Sequence, residues 1–83
     1  NLSYKQMRGK LASTLLYLSG KQFEQANALA YLTRRDIADF ATITVESTVK
    51  FLKEFEKDNL IKLQGRRIEI VNSEVLMAIN KRG

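Results

Sequence analysis

Apolar residues recur along this chain with a helical rhythm first and an alternating rhythm later. Met7, Leu11, Leu15, Leu16 and Leu18 form a stripe at helical spacing, which predicts an amphipathic helix over residues 3–19 whose stripe packs into a core. Ser3 and Gln6 stand at capping-box spacing at its start, and Gly20 stands where a helix C-terminal cap belongs. Residues 21–32 are less regular; they suggest a loop and one short strand near 28–31. Thr33-x-x-Asp36 then opens a second helix with a capping box, and Leu32 and Ile37 hold the positions of a hydrophobic staple. Ile37, Phe40 and Ala41 follow the i, i+3, i+4 rule and are expected to face inward, while Ala38 is small enough to let another helix approach closely.

Thr42-Ile43 is the expected turn, with Ile43 as a buried plug, and Thr44 is the next N-cap. The third helix is expected from Val45 to residue 57 or 58. At about 100° per residue, Thr48, Phe51, Leu52 and Phe55 fall on one side and Glu46, Lys50, Lys53 and Lys57 on the other, with Val45 and Val49 flanking. The apolar side must pack down, so the charged side must look out. Residues 60–63 and 66–71 alternate as two short strands around a Gln64-Gly65 turn. Ser73 is the expected cap of a last helix over 74–80, followed by a basic tail. In this order the elements make an α+β fold of the winged helix-turn-helix type: a three-helix core, a small antiparallel β-hairpin wing and a short C-terminal helix. Residues 1–83 form one domain, and a chain of this size buries roughly 60–65% of its unfolded surface, enough for a small core.

Composition narrows the chemistry. The chain has no cysteine and no histidine, which removes disulfides, thiolate and imidazole metal sites, cysteine nucleophiles and the usual general base. Serines and lysines are present but no spacing groups them into a catalytic arrangement, and no phosphate loop is visible, so an enzyme is not expected. The net charge of +5 suggests a polyanionic partner, a weak signal alone. No apolar run approaches the roughly 18 residues of a membrane span, so no membrane partner is expected. The chain opens on Asn1 without a methionine, and we expect a piece of something longer. Nothing calls for an oxidising compartment, so the cytoplasm is the expected location.

In such a fold the third helix can enter a DNA major groove, about 12 Å wide, and its exposed N-terminal residues then reach base edges. Here those are Val45, Glu46, Val49 and Lys50. Glu46 can accept from the cytosine amine, Lys50 can donate to guanine, and the two valines can touch thymine methyls. Glu46 and Lys50 are one turn apart and can pair with each other while reading adjacent base pairs; elsewhere the same spacing would be an ordinary surface ion pair. A carboxylate repels phosphates, so Glu46 argues for reading sequence rather than coating DNA. Phosphate contacts are expected from Thr33 and Arg35 at the start of the second helix, Thr44 and Ser47 at the start of the third, and Arg66, Lys62 and Arg67 on the hairpin. A lone surface cation is ordinarily just solvated; grouping around helix ends and one hairpin raises the functional case. Asp36 and Asp39 fit capping and solubility.

At LTRRDIADF, TVESTVKFLKEFEKDNLI and LQGRRIEI the sequence resembles the C-terminal DNA-binding domain of the Crp/Fnr family of bacterial transcription regulators (cyclic-AMP receptor protein / fumarate-nitrate regulator). The resemblance implies base readout by an early recognition-helix glutamate, matching Glu46, and by a basic residue four positions on, matching Lys50. It implies phosphate contacts at Thr33, Arg35, Thr44, Ser47 and Arg66. Lys50 replaces the commoner arginine and lacks its bidentate fork, and Val45 and Val49 are apolar where some relatives are polar. It further implies an upstream ligand-sensing β-barrel and dimerisation helix, a double-stranded DNA operator as partner, homodimerisation through that upstream region, RNA polymerase as a candidate further partner, and the bacterial nucleoid as location. No cofactor is expected in these residues, and the effector of the upstream sensor stays unnamed. The competing function is a winged-helix protein–protein interaction module without DNA readout, suggested by mixed charge toward the end of the third helix at Glu54, Glu56 and Asp58.

Overall fold

The computed structural model describes residues 2–20, 29 and 31–82. Its elements run α1 (Tyr4–Leu18), α2 (Arg34–Ala41), α3 (Val45–Lys57), β1 (Ile61–Gln64), β2 (Arg67–Ile70) and α4 (Ser73–Arg82). Each helix begins where a short polar side chain satisfies a free backbone N–H. Ser3 Oγ accepts from Gln6 N at 3.1 Å, and Gln6 Oε1 accepts from Ser3 N at 2.9 Å. Thr33 and Asp36 make the same reciprocal pair at 3.1 and 3.0 Å. Thr44 Oγ1 accepts from Ser47 N at 3.0 Å. A lost cap of this kind costs about 1 kcal/mol.

The core gathers under α3. Thr48, Phe51, Leu52 and Phe55 are buried along one face of that helix, against Leu11, Leu15 and Leu18 of α1, Ile37 of α2 and Leu76 of α4. Thr48 can be polar there because its hydroxyl donates to the Thr44 carbonyl at 2.9 Å. Leu32 and Ile43 are partly buried against the same cluster, so Ile43 is less deeply set than the buried plug expected of it.

Phe40 is a correction. It is 58% exposed, while Ile37, Ala38 and Ala41 form the buried face of α2. Ala38 and Ala41 let the neighbouring helices approach closely, which turns the inward arc toward Ala38 and leaves Phe40 about 60° beyond its Ile37 edge. The helix stops at Thr42, which takes a left-handed conformation at φ 59°, and Ile43 N donates back to the Ala38 carbonyl at 3.1 Å.

β1 and β2 pair antiparallel in the register Ile61↔Ile70, Lys62↔Glu69, Leu63↔Ile68 and Gln64↔Arg67. The apolar pairs face the core, and Lys62 and Arg67 lie on the outer face with Glu69. The turn is Gly65-Arg66, one residue later than the expected Gln64-Gly65. Gly65 has φ +60° at the first turn position, where a two-residue hairpin needs a left-handed residue. The last helix also begins differently. Asn72 Oδ1 accepts from Val75 N at 3.2 Å, so Asn72 is the cap and Ser73 the first helical residue. The strand expected near 28–31 is absent where it can be judged: Leu29 is a buried residue of a 3₁₀ turn and Tyr31 an exposed turn residue, while 28 and 30 lie outside the described residues.

These placements separate two phenylalanines. Phe55, with 0% exposure, should lose about 3–5 kcal/mol on truncation to alanine. Phe40→Ala should change stability by less than about 0.5 kcal/mol. Urea denaturation of both variants checks this; a comparable loss for Phe40→Ala would mean that α2 packs with a different face inward.

Candidate nucleic-acid interface

The outer side of α3 presents Val45, Glu46 and Lys50 exposed, with Val49 half-buried beside them. All four lie in the first half of the helix, and burial of the opposite face fixes their direction. Thr44 and Ser47 are coupled: Thr44 Oγ1 donates to Ser47 Oγ at 2.9 Å while accepting from Ser47 N. The Ser47 hydroxyl proton is thereby left to point elsewhere, as a donor to an incoming acceptor. At the start of α2, the Asp36 N–H is taken by Thr33 and the Thr33 N–H by Asp36. The first-turn N–H groups of Arg34 and Arg35 have no intrahelical carbonyl to meet.

Thr33 and Arg35 thus stand at the start of α2, and Thr44 and Ser47 at the start of α3, just past the Thr42-Ile43 turn. Arg66, Lys62 and Arg67 are exposed on the hairpin, Arg66 at its tip and the other two on its outer face. The tip is tied to the first of those helix starts. Arg34 Nη1 donates to the Arg66 carbonyl at 3.2 Å and Nη2 to the Gly65 carbonyl at 3.1 Å. Arg34 was not legible as a functional position. Two adjacent arginines open α2, and only the fold distinguishes the one that clasps the wing from the one that stays free. Burial against the hairpin pushes the Arg34 guanidinium below its ordinary pKa.

Glu46 and Lys50 are not joined. Among the described residues the ion pair within reach is Arg8 Nε with Glu54 Oε1, at 4.0 Å. Lys50 Nζ instead lies 5.0 Å from the centre of the Tyr4 ring and 5.9 Å from that of Phe51. Tyr4, the first residue of α1, is a second position that sequence patterning missed. Its ring meets buried Phe51 edge-on, with centroids 4.9 Å apart and planes at 86°, and its hydroxyl donates to Glu54 Oε2. That hydrogen bond, with desolvation and the Glu54 charge adding to it and Arg8 opposing, raises the Tyr4 phenol above its ordinary pKa. Glu56 is engaged as well, accepting from Leu63 N at 3.2 Å. Two of the three acids at the end of α3 therefore serve the fold.

Two capped helices joined through a left-handed turn, the second with its outer face bare, and a hairpin clasped to the first are the parts of a winged helix-turn-helix. The chain belongs to the Crp-like helix-turn-helix domain family, whose model matches residues 9–79. It is similar to the fumarate and nitrate reduction regulatory protein of Yersinia pestis, 32% identical over 79 residues, covering 90% of this chain and 32% of that protein. The proteins of the same name from Salmonella typhimurium and Vibrio cholerae are each 30% identical over 82 residues, covering 94% of this chain and 33% of theirs. The chain thus spans about a third of the length of the curated relatives it matches. As a member of this family it is a DNA-binding domain of a transcription regulator and not an enzyme. Among the described residues no helix is long and apolar enough to cross a membrane.

Replacing Arg34 by Met removes both bonds to the wing. Amide hydrogen exchange at residues 65–67 should accelerate while that of α3 stays as it was, and global stability should fall by about 1 kcal/mol. Acceleration spread evenly over the domain would show that Arg34 is no local clasp.

Proposed function

We propose that this chain reads double-stranded DNA by sequence, with α3 lying in the major groove and the wing and helix starts holding the backbone. The observation that carries this is the outward row of Val45, Glu46, Val49 and Lys50, a donor, an acceptor and two methyl-bearing contacts at the exposed start of a helix whose other face is fully committed to the core. Glu46 accepts from cytosine, Lys50 donates to guanine, and the valines meet thymine methyls. Thr33, Arg35, Thr44, Ser47 and Arg66 supply phosphate contacts, with Lys62 and Arg67 on the outer face of the wing.

The relatives are named as regulators of fumarate and nitrate reduction. By extension, the whole protein regulates transcription from the bacterial nucleoid, carries an effector-sensing and dimerising region outside these residues, and engages RNA polymerase at its promoters. Its effector acts there and not on this segment. A dimer places two α3 helices in major grooves roughly 34 Å apart. Protein docking in place of DNA readout is less well supported, because two of the three acids that would serve it, Glu54 and Glu56, are held by Tyr4, Arg8 and the Leu63 amide, leaving Asp58.

Selection of duplexes from a random pool, followed by fluorescence anisotropy at two salt concentrations, tests this. Binding should weaken steeply with salt. Glu46→Ala should relax discrimination at one base pair by about 1–3 kcal/mol and leave random-sequence binding intact or stronger. Arg66→Ala should weaken all sequences alike and flatten the log–log salt slope by about 0.9. Equal weakening of selected and random DNA by both variants would overturn the division between base and phosphate contacts, and salt-insensitive or absent binding would overturn DNA readout.

A further inference from the structure

We infer that Tyr4 is a specificity-determining positioning residue: its ring draws the Lys50 ammonium away from Glu46 and so keeps the Glu46 carboxylate open to accept from a base. This rests on the DNA-readout function proposed above and assigns a role there to a residue outside the helix-turn-helix. Glu46 and Lys50 are four apart on one helix, a spacing that ordinarily yields an ion pair with about a twofold preference. The pair does not form. Lys50 Nζ lies over the Tyr4 ring at 5.0 Å, within the roughly 6 Å at which an ammonium is attracted to an aromatic face. At an exposed site that attraction is worth about two- to fivefold, and the nearby Phe51 ring at 5.9 Å adds to it. The aromatic side therefore wins over the carboxylate.

The ring is held in place for this task. Phe51, buried in the core, receives its edge at 4.9 Å. Glu54 accepts from its hydroxyl, Arg8 Nε lies 4.0 Å from Glu54, and the Arg8 guanidinium sits 5.5 Å from the centre of the Phe55 ring. The Ser3–Gln6 capping box fixes the backbone one residue before Tyr4. These contacts set the ring while leaving Tyr4 47% exposed. With the ring against one side of its ammonium, Lys50 keeps N–H groups on the other side for guanine. Glu46, relieved of an internal cation, meets the base with its acceptor capacity unspent.

The test uses Tyr4→Leu, Tyr4→Phe and Lys50→Met in this chain, alone and combined. Without DNA, the Lys50 side-chain methylene protons should be shifted upfield by the ring current in the wild type and in Tyr4→Phe, and should lose most of that shift in Tyr4→Leu, where only the more distant Phe51 ring remains. With a duplex selected from a random pool by the wild type, and the same duplex altered at the base pair read by Glu46, Tyr4→Leu should reduce discrimination about two- to fivefold. Tyr4→Phe should restore it, and Tyr4→Leu should have no further effect once Lys50 is Met. An absent upfield shift, or the same loss with and without Lys50, would overturn the positioning role. A shift that is present in a chain that does not discriminate between duplexes would instead overturn sequence readout, and the function assigned to Tyr4 with it.

Discussion

Burial of one face of α3 is the constraint on which the rest of this molecule depends. Phe51, Leu52 and Phe55, with Thr48 satisfied through its own helix, commit that face to the core shared with α1, α2 and α4. A helix with a 3.6-residue repeat that buries these four positions has no freedom left in its rotation. Glu46 and Lys50 are turned outward for that reason alone. Rotation of α3 by even one residue would bring a charge beneath the fold and lift a phenylalanine into water, a change that costs several kcal/mol in both terms.

The angle between α2 and α3 is set more locally, and at some cost. Thr42 adopts a left-handed conformation at φ 59°, where glycine is the usual occupant and a β-branched residue is disfavoured by about 1–2 kcal/mol. Its side chain recovers part of that through the Ala41 carbonyl at 2.6 Å and the Lys10 ammonium at 2.8 Å. The turn is thereby fastened to α1 as well as closed on itself. Thr44, just past the turn, caps α3, and Thr33 caps the far end of α2. One short segment thus fixes where the second helix of the pair begins and ties that start to α1.

Features that depend on near neighbours were legible from the sequence. The capping boxes at Ser3 and Thr33, the cap at Thr44, the buried face of α3 and the two strands all rest on spacings of a few residues, and each is present. What escaped depends on tertiary choice. Periodicity suited Phe40 to an inward position, and the assembled fold buries Ala38 instead and leaves Phe40 exposed. Asn72 and Ser73 are adjacent capable caps, and the chain path leaving β2, with Val71 N and Asn72 N both donating to the Leu60 carbonyl, selects the asparagine. Arg34 and Arg35 are chemically identical, and only the folded-back hairpin gives one of them two carbonyls to hold. The Tyr4–Lys50 contact joins residues far apart in sequence, and no local pattern encodes it.

The missed features share a consequence. Arg34 bonds the wing to the start of α2, and Tyr4 joins the start of α1 to the middle of α3. Each carries information about one element's position to a side chain that local patterning assigns to another. A domain built only from caps and amphipathic faces would hold its outward helix in the right orientation, yet leave long side chains such as Lys50 to choose among several partners of similar strength. Differences of a few fold decide such choices, and an aromatic ring fixed by the core is a means of deciding them without burying a charge. The outward chemistry of α3 is therefore a property of the assembled domain: the helix supplies the residues, and the element packed beside it determines which of them stay open.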